Sequence, residues 1–209
     1  MAGRGRGRCQ WLAVASGSVA DVGIGFRDHS GWAVVVTVNG RPAVLDRRRV
    51  RLCGPELPRQ VYHAAVGLDL DLARELVAEV ERSAVAAAGY ELAGLVAELT
   101  AHGHRVRGVA VAVGTTRVPQ ELATILGSHP LLHAAEGELY REALADAAEA
   151  AGLPVVRFVG RNVLVDAAAA LERPIADTLA ELGRGLGPPW AKDQKEAAAA
   201  ALLALRMAA

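Results

Sequence analysis

Between Asp21 and Leu52 the chain reads as strand, turn, strand, turn, strand, and the rest must be built onto that meander. "DVGIGF" is a short β-rich run, "WAVVVTV" is dense in β-branched residues, and "RPAVLDRRRVRL" completes the set. Asn39-Gly40 is a strong hairpin signal, and Pro42 is tolerated at a strand start. The connection between the first two strands carries Arg27, Asp28, His29 and Ser30. It is either turn chemistry alone or one corner of a site.

The text then changes period. "GPELPRQVYHAA" reads as a loop punctuated by Pro55 and Pro58, and Tyr62-His63 within it receives no role. From about Asp69 to Ala101 apolar residues recur near helical spacing (Leu72, Leu76, Val80, Leu92, Leu95, Val96, Leu99), with Gly89 a candidate bend. "HGH" ends that helix, Gly103 being a natural stop. "VRGVAVAV" is a nearly unbroken apolar run, the mark of a strand buried on both faces. It is expected to lie centrally and parallel to the first strand. A short helix, a longer one from about His129 through Ala151, a fifth strand at "PVVRFV", a helical stretch broken near Pro174 and a last alanine-rich helix complete the chain. The order β-β-β-α-β-α-β-α predicts an α/β fold, a three-layer mixed sheet with helices on its faces. One domain is expected over residues 19–209, after an Arg/Gly tail at 1–18 that has no apolar face to pack.

At 209 residues, 52% apolar and 22% charged, the chain can bury a core without staples. A formal net charge of zero argues against bulk coating of nucleic acid and leaves room for a local basic groove. Cys9 and Cys53 form no metal-ligand spacing and no disulfide framework, so a reducing cytoplasm is the expected compartment. No apolar run approaches the ~20 residues that cross a bilayer, so no membrane partner is expected.

This element order resembles the ribonuclease H-like fold, and RuvC-type resolvase nucleases in particular. "VGIGFRDHSGWAVVV" is similar to that family's opening hairpin, "VRGVAVAV" to its fourth strand, and "KDQKEAAAAAL" to its last helix, which begins with an acidic residue. The resemblance implies a metal-dependent nuclease using Mg²⁺ or Mn²⁺, with nucleic acid and a second copy of the chain as expected partners. Two departures stand against it. Gly25 occupies the place of the family's first catalytic aspartate, and Gly114 that of the glutamate ending the fourth strand.

A two-metal phosphodiesterase needs several converging carboxylates, which activate water through the ions and stabilise the leaving oxygen. The substitutes available are Asp28, Glu136 and Asp193 as metal ligands, with His133 or His29 positioning water. Strand parity groups Gly23, Gly25 and Arg27 on one face, so Asp28 requires a bend to join them. His129, His133 and Glu136 fall at spacings of four and three and share a helical face behind Pro130. Gly137 has no propensity reason to be in that helix, which suggests close approach by backbone or ligand. Lys192 and Lys195 are the chain's only lysines and, with Arg27, are the candidate phosphate contacts. Asp193 also suits a helix N-terminus. The arginines of "DRRRVRL" line a phosphate-binding edge or protect a sheet edge. Two further readings remain: a non-catalytic binding or scaffold protein on the same fold, and a nucleotide-binding relative of the actin and sugar-kinase group. The latter needs two such domains.

Overall fold

The computed structural model describes residues 19–208; the expected tail at 1–18, with Cys9, lies outside the described residues. Strands β1 (Asp21–His29), β2 (Trp32–Asn39) and β3 (Val44–Arg51) form the antiparallel meander. β4 (Arg105–Val113) pairs parallel to β1, and β5 (Val155–Val159) parallel to β4, in the order β3-β2-β1-β4-β5. β4 is thus internal and buried from Gly108 to Ala112, as an apolar run on both faces requires.

Two details of the meander differ from the sequence reading. β1 runs on through Asp28 and His29, so the hairpin turn is Ser30-Gly31, with Gly31 at φ 78°. Pairing of Arg27 with Val34 and of Asp28 with Ala33 holds those residues in the ladder instead of an Asx turn. The Asn39-Gly40 turn is also longer than a two-residue hairpin: Asn39 Oδ1 accepts from the Ala43 amide at 3.1 Å, and Pro42 precedes β3.

The helices are α1 (Val61–Ala65), α2 (Leu70–Ala101), α3 (Leu122–Leu126), α4 (His129–Ala150), α5 (Val163–Leu171), α6 (Ile175–Gly183) and α7 (Lys192–Met207). Alternation along the strands sorts them into two layers. Val22, Ile24 and Phe26 of β1, with Ala33 and Val35 of β2, enter a core shared with α2 and α4. Val34, Val36 and Val38 enter the opposite core with α6 and α7. The resulting fold is the three-layer ribonuclease H-like arrangement.

α1 overturns the reading of Tyr62-His63 as loop: Val61, Tyr62 and Ala65 are buried, and this tertiary contact holds one helical turn that propensity alone does not announce. α2 continues unbroken through Gly89, because its buried stripe (Ala73, Val77, Val80, Ala84, Ala88, Leu92, Leu95, Leu99) keeps helical register across that glycine. Among the described residues it is the one helix long and apolar enough, by length and composition, to cross a membrane. That amends the expectation that no run comes near such a length; here the stripe packs into the core beside α4. α7 is buried all round from Ala197 to Ala204, between the sheet and α5.

Candidate functional site at the carboxyl end of β1

Gly23 and Gly25 put no side chain on the α7 side of β1, and α7 crosses there in backbone contact. A Cβ at Gly25 would meet the Ala197 carbonyl and the Ala201 amide; one at Gly23 would come within 2.8 Å of the Leu205 amide nitrogen. The next residues on that side are Arg27 and His29, so the first side chains beyond the helix are cationic or ionisable. Arg27 Nε lies 2.7 Å from Glu196 Oε2, one turn into α7. His29 Nε2 donates to Asp193 Oδ2 at 3.0 Å, and its ring stacks at 4.0 Å on Trp32 across the hairpin. Trp32 in turn carries the Arg49 guanidinium 3.6 Å from its ring centre.

Asp28, with opposite parity, faces α4. Its carboxylate lies 3.7 Å from Arg141 Nε and 3.9 Å from Arg27. Arg141 donates to the Gly137 carbonyl at 2.7 Å, and its guanidinium fills the space that a side chain at Gly137 would take. The same guanidinium lies 3.7 Å from where a Cβ of Gly114 would be. The close approach expected at Gly137 therefore comes from the chain's own arginine.

Glu136 stands one residue from that contact and turns another way. It is 2% exposed, accepts from the His63 amide at 3.2 Å and the His63 Nδ1 at 2.8 Å, and leaves Oε2 without a partner. Each of the three expected ligands thus has a cationic or imidazole neighbour: Arg141 for Asp28, His63 for Glu136, His29 for Asp193. Among the described residues, the metal-capable side chains whose ligand atoms gather within 4.8 Å are His63, His129 and His133. Lys192 is exposed and lies 3.8 Å from Glu196; Lys195 lines a separate hollow with Trp190 and Leu179.

Basic residues flank the hairpin. Arg47, Arg49 and Arg51 alternate along β3, and a hollow of about 640 Å³ beside them is lined by Trp32, Arg49, Arg51, Arg59 and Glu91. A second, of about 490 Å³, runs past Trp32 and Arg47 to Pro188 and Asp193. Arg47 ties this edge to the segment before α7 by donating to the Gly187 and Pro189 carbonyls. Arg48 faces the other layer and pairs with Asp46 and Glu98. Burial pushes the Glu91 carboxyl up, against the pull of Arg48 and Arg51.

Residue spacing did not single out Arg141, Glu196, His63 or Trp32. Gly137, four residues before Arg141, was the usable signal for the first, and Lys192, four before Glu196, for the second. His63 and Trp32 are partnered across the fold and leave no local pattern.

No protein-family model matches the chain, and no curated protein matches it in sequence. Solved structures do match, and they show that the chain shares the ribonuclease H-like fold of the RuvC resolvases. One is Thermus thermophilus RuvC in complex with a Holliday junction substrate, at 17% identity and TM-score 0.52, covering 87% of this chain and 90% of that one. Another, also Thermus thermophilus RuvC, gives 15% identity and TM-score 0.50, with 87% and 91% covered.

Proposed function

We propose that this protein binds structured nucleic acid along β3 and the β1–β2 hairpin, and does not cut it by a two-metal route. One observation carries the reading. At the carboxyl end of β1 the carboxylates of Asp28, Asp193 and Glu196 are each engaged by a side chain of the same protein, and the two positions where the resemblance calls for carboxylates are Gly25 and Gly114. A site for paired divalent cations needs carboxylates with uncompensated charge facing one another. Arg27 and Arg141 already occupy that electrostatic role, so the residues as placed do not fit a two-metal centre. What stays available is recognition. Arginines alternating along an edge strand contact phosphates, and Trp32, its two faces taken by Arg49 and His29, holds the Arg49 guanidinium in place on that edge. The neighbouring RuvC structure that holds a Holliday junction makes branched DNA the first ligand to test.

The test is fluorescence anisotropy with a four-way junction, a duplex and a single strand, run beside a cleavage assay in Mg²⁺ and in Mn²⁺. Salt-dependent binding, weakened at least about tenfold by the combined Arg49→Ala and Arg51→Ala change, with every strand left intact, is the expected result. A second reading has its own support: Asp193, Glu196 and Lys192 on the first turns of α7 share one end of the sheet with Asp28, linked through Arg27. In it Asp28, Glu136 and Asp193 hold Mg²⁺ or Mn²⁺, with His133 or His29 positioning water. Metal-dependent strand cleavage that Asp193→Asn abolishes would decide for that reading and against the first.

A further inference from the structure

On the α4 side, three of the chain's six histidines meet at one place. His129 and His133 lie one turn apart at the start of α4, and His63 reaches them from α1. The His63 and His133 rings are 4.6 Å apart, as are those of His129 and His133, and His63 and His129 are 5.5 Å apart. We propose that His63, His129 and His133 form a binding site for a zinc-class divalent transition metal, with Glu136 orienting His63.

Three features converge on this. Nitrogen donors of the three rings lie within 4.8 Å of one another. Four-coordinate zinc with bonds of about 2.0–2.1 Å wants them roughly 3.3 Å apart, a closure that two exposed imidazoles reach by side-chain rotation. Next, the His63 Nδ1–H is committed to Glu136, which fixes the tautomer and leaves Nε2 with its lone pair free. A carboxylate behind the ring is the usual support for a metal-ligating histidine, since it raises ligand basicity and holds the ring in place. Finally, Glu136 is buried with Oε2 unpartnered. A carboxylate removed from water and half satisfied is costly unless positive charge stands nearby. A dication on the far side of His63 supplies it.

Imidazole donors select the zinc, cobalt, nickel and copper class over Mg²⁺, which prefers oxygen ligands. The site is therefore chemically distinct from any oxygen-ligated centre at the end of β1, and it stands whether or not the protein binds nucleic acid. With His129 and His133 exposed, a fourth coordination position opens to solvent. The metal also cross-links α1 to α4, so the turn that carries Tyr62 is held by more than its own burial.

The experiment is Co²⁺ titration of the chelator-stripped full chain, followed by visible absorption, with Zn²⁺ competition and a thermal melt. One equivalent should bind with the d–d bands of a nitrogen-rich site, Zn²⁺ should displace it, and Zn²⁺ should raise the melting temperature. The double change His129→Ala and His133→Ala is on the surface and keeps the fold, checked by circular dichroism; it should remove all three effects. Glu136→Gln should weaken Co²⁺ binding about tenfold or more. Absence of equimolar uptake, uptake unchanged in the double variant, or a thiolate charge-transfer band assigning the metal to a cysteine would each overturn the proposal.

Discussion

On one face of the sheet α7 lies on β1 with nothing between the backbones, because Gly23 and Gly25 have no side chains and the helix brings a run of alanines. On the other face α2 and α4 stand off behind Leu92, Leu95, Tyr140 and Leu144. The first contact is set by exclusion and tolerates no added atom. The second is filled by large side chains and has polar groups set into its margin: Asp28 against Arg141, Glu136 against His63. The same fold thus closes one layer by shape and the other by volume. Only the second takes in a carboxylate as deeply buried as Glu136.

The largest expected effect tests the closed face. Gly25→Asp restores the carboxylate that the resemblance calls for, yet it drives a charged side chain into the Ala197 and Ala201 backbone. Urea denaturation should show a loss of about 4–5 kcal/mol, or failure to fold. A Gly25→Asp protein as stable as wild type would mean that α7 lifts from the sheet, and the contrast between the faces would fall. Leu144→Ala, on the filled face, should cost about 3 kcal/mol, because the surrounding core relaxes only in part around the cavity. If instead the alanine variant loses less than Gly25→Asp by only a few tenths, volume and shape matter equally on both sides.

Arg141→Ala tests the polar margin. It leaves Asp28 facing α4 with Arg27 alone and empties the space over Gly137 and Gly114. A loss of about 1–2 kcal/mol is expected in the same urea assay. Arg141→Lys should recover only part of it, since an ammonium cannot both donate to the Gly137 carbonyl in the guanidinium's geometry and remain beside Asp28. Full recovery by lysine would make the contact one of charge alone.

How far these features were legible depended on whether their cause was local. The strand order followed from the apolar run at β4 and the meander before it, both of which are periodic patterns. Gly25 and Gly114 could be read as departures from a resemblance, but what covers them comes from residues 172 and 27 positions away, at Ala197 and Arg141. His129, His133 and Glu136 shared a helical face by spacing, whereas His63 reached them only through the packing of α1, which propensity alone did not indicate. Asp28 and Asp193 were grouped with Glu136 as one ligand set. Strand parity separates them, sending Asp28 toward α4 and its neighbour His29 toward α7.

The smallest effect lies at Glu91, where burial and neighbouring cations compete. Burial raises its carboxyl above the ordinary value of 4.5, while Arg48 and Arg51 pull it down and Glu98 adds to the rise. A carboxyl whose folded pKa exceeds its unfolded one binds its proton more tightly in the folded protein. Its contribution therefore favours folding below the unfolded value and is lost as pH rises through the folded value. At neutral pH the ionised group opposes folding slightly, so Glu91→Gln should raise the melting temperature a little at pH 7 and leave it unchanged near pH 4. Melts at both values check the sign. A lower melting temperature for Glu91→Gln at pH 7 would show that attraction to Arg48 and Arg51 outweighs the cost of burial. The basic hollow beside Trp32 would then depend on Glu91 for its shape as well as lying next to it.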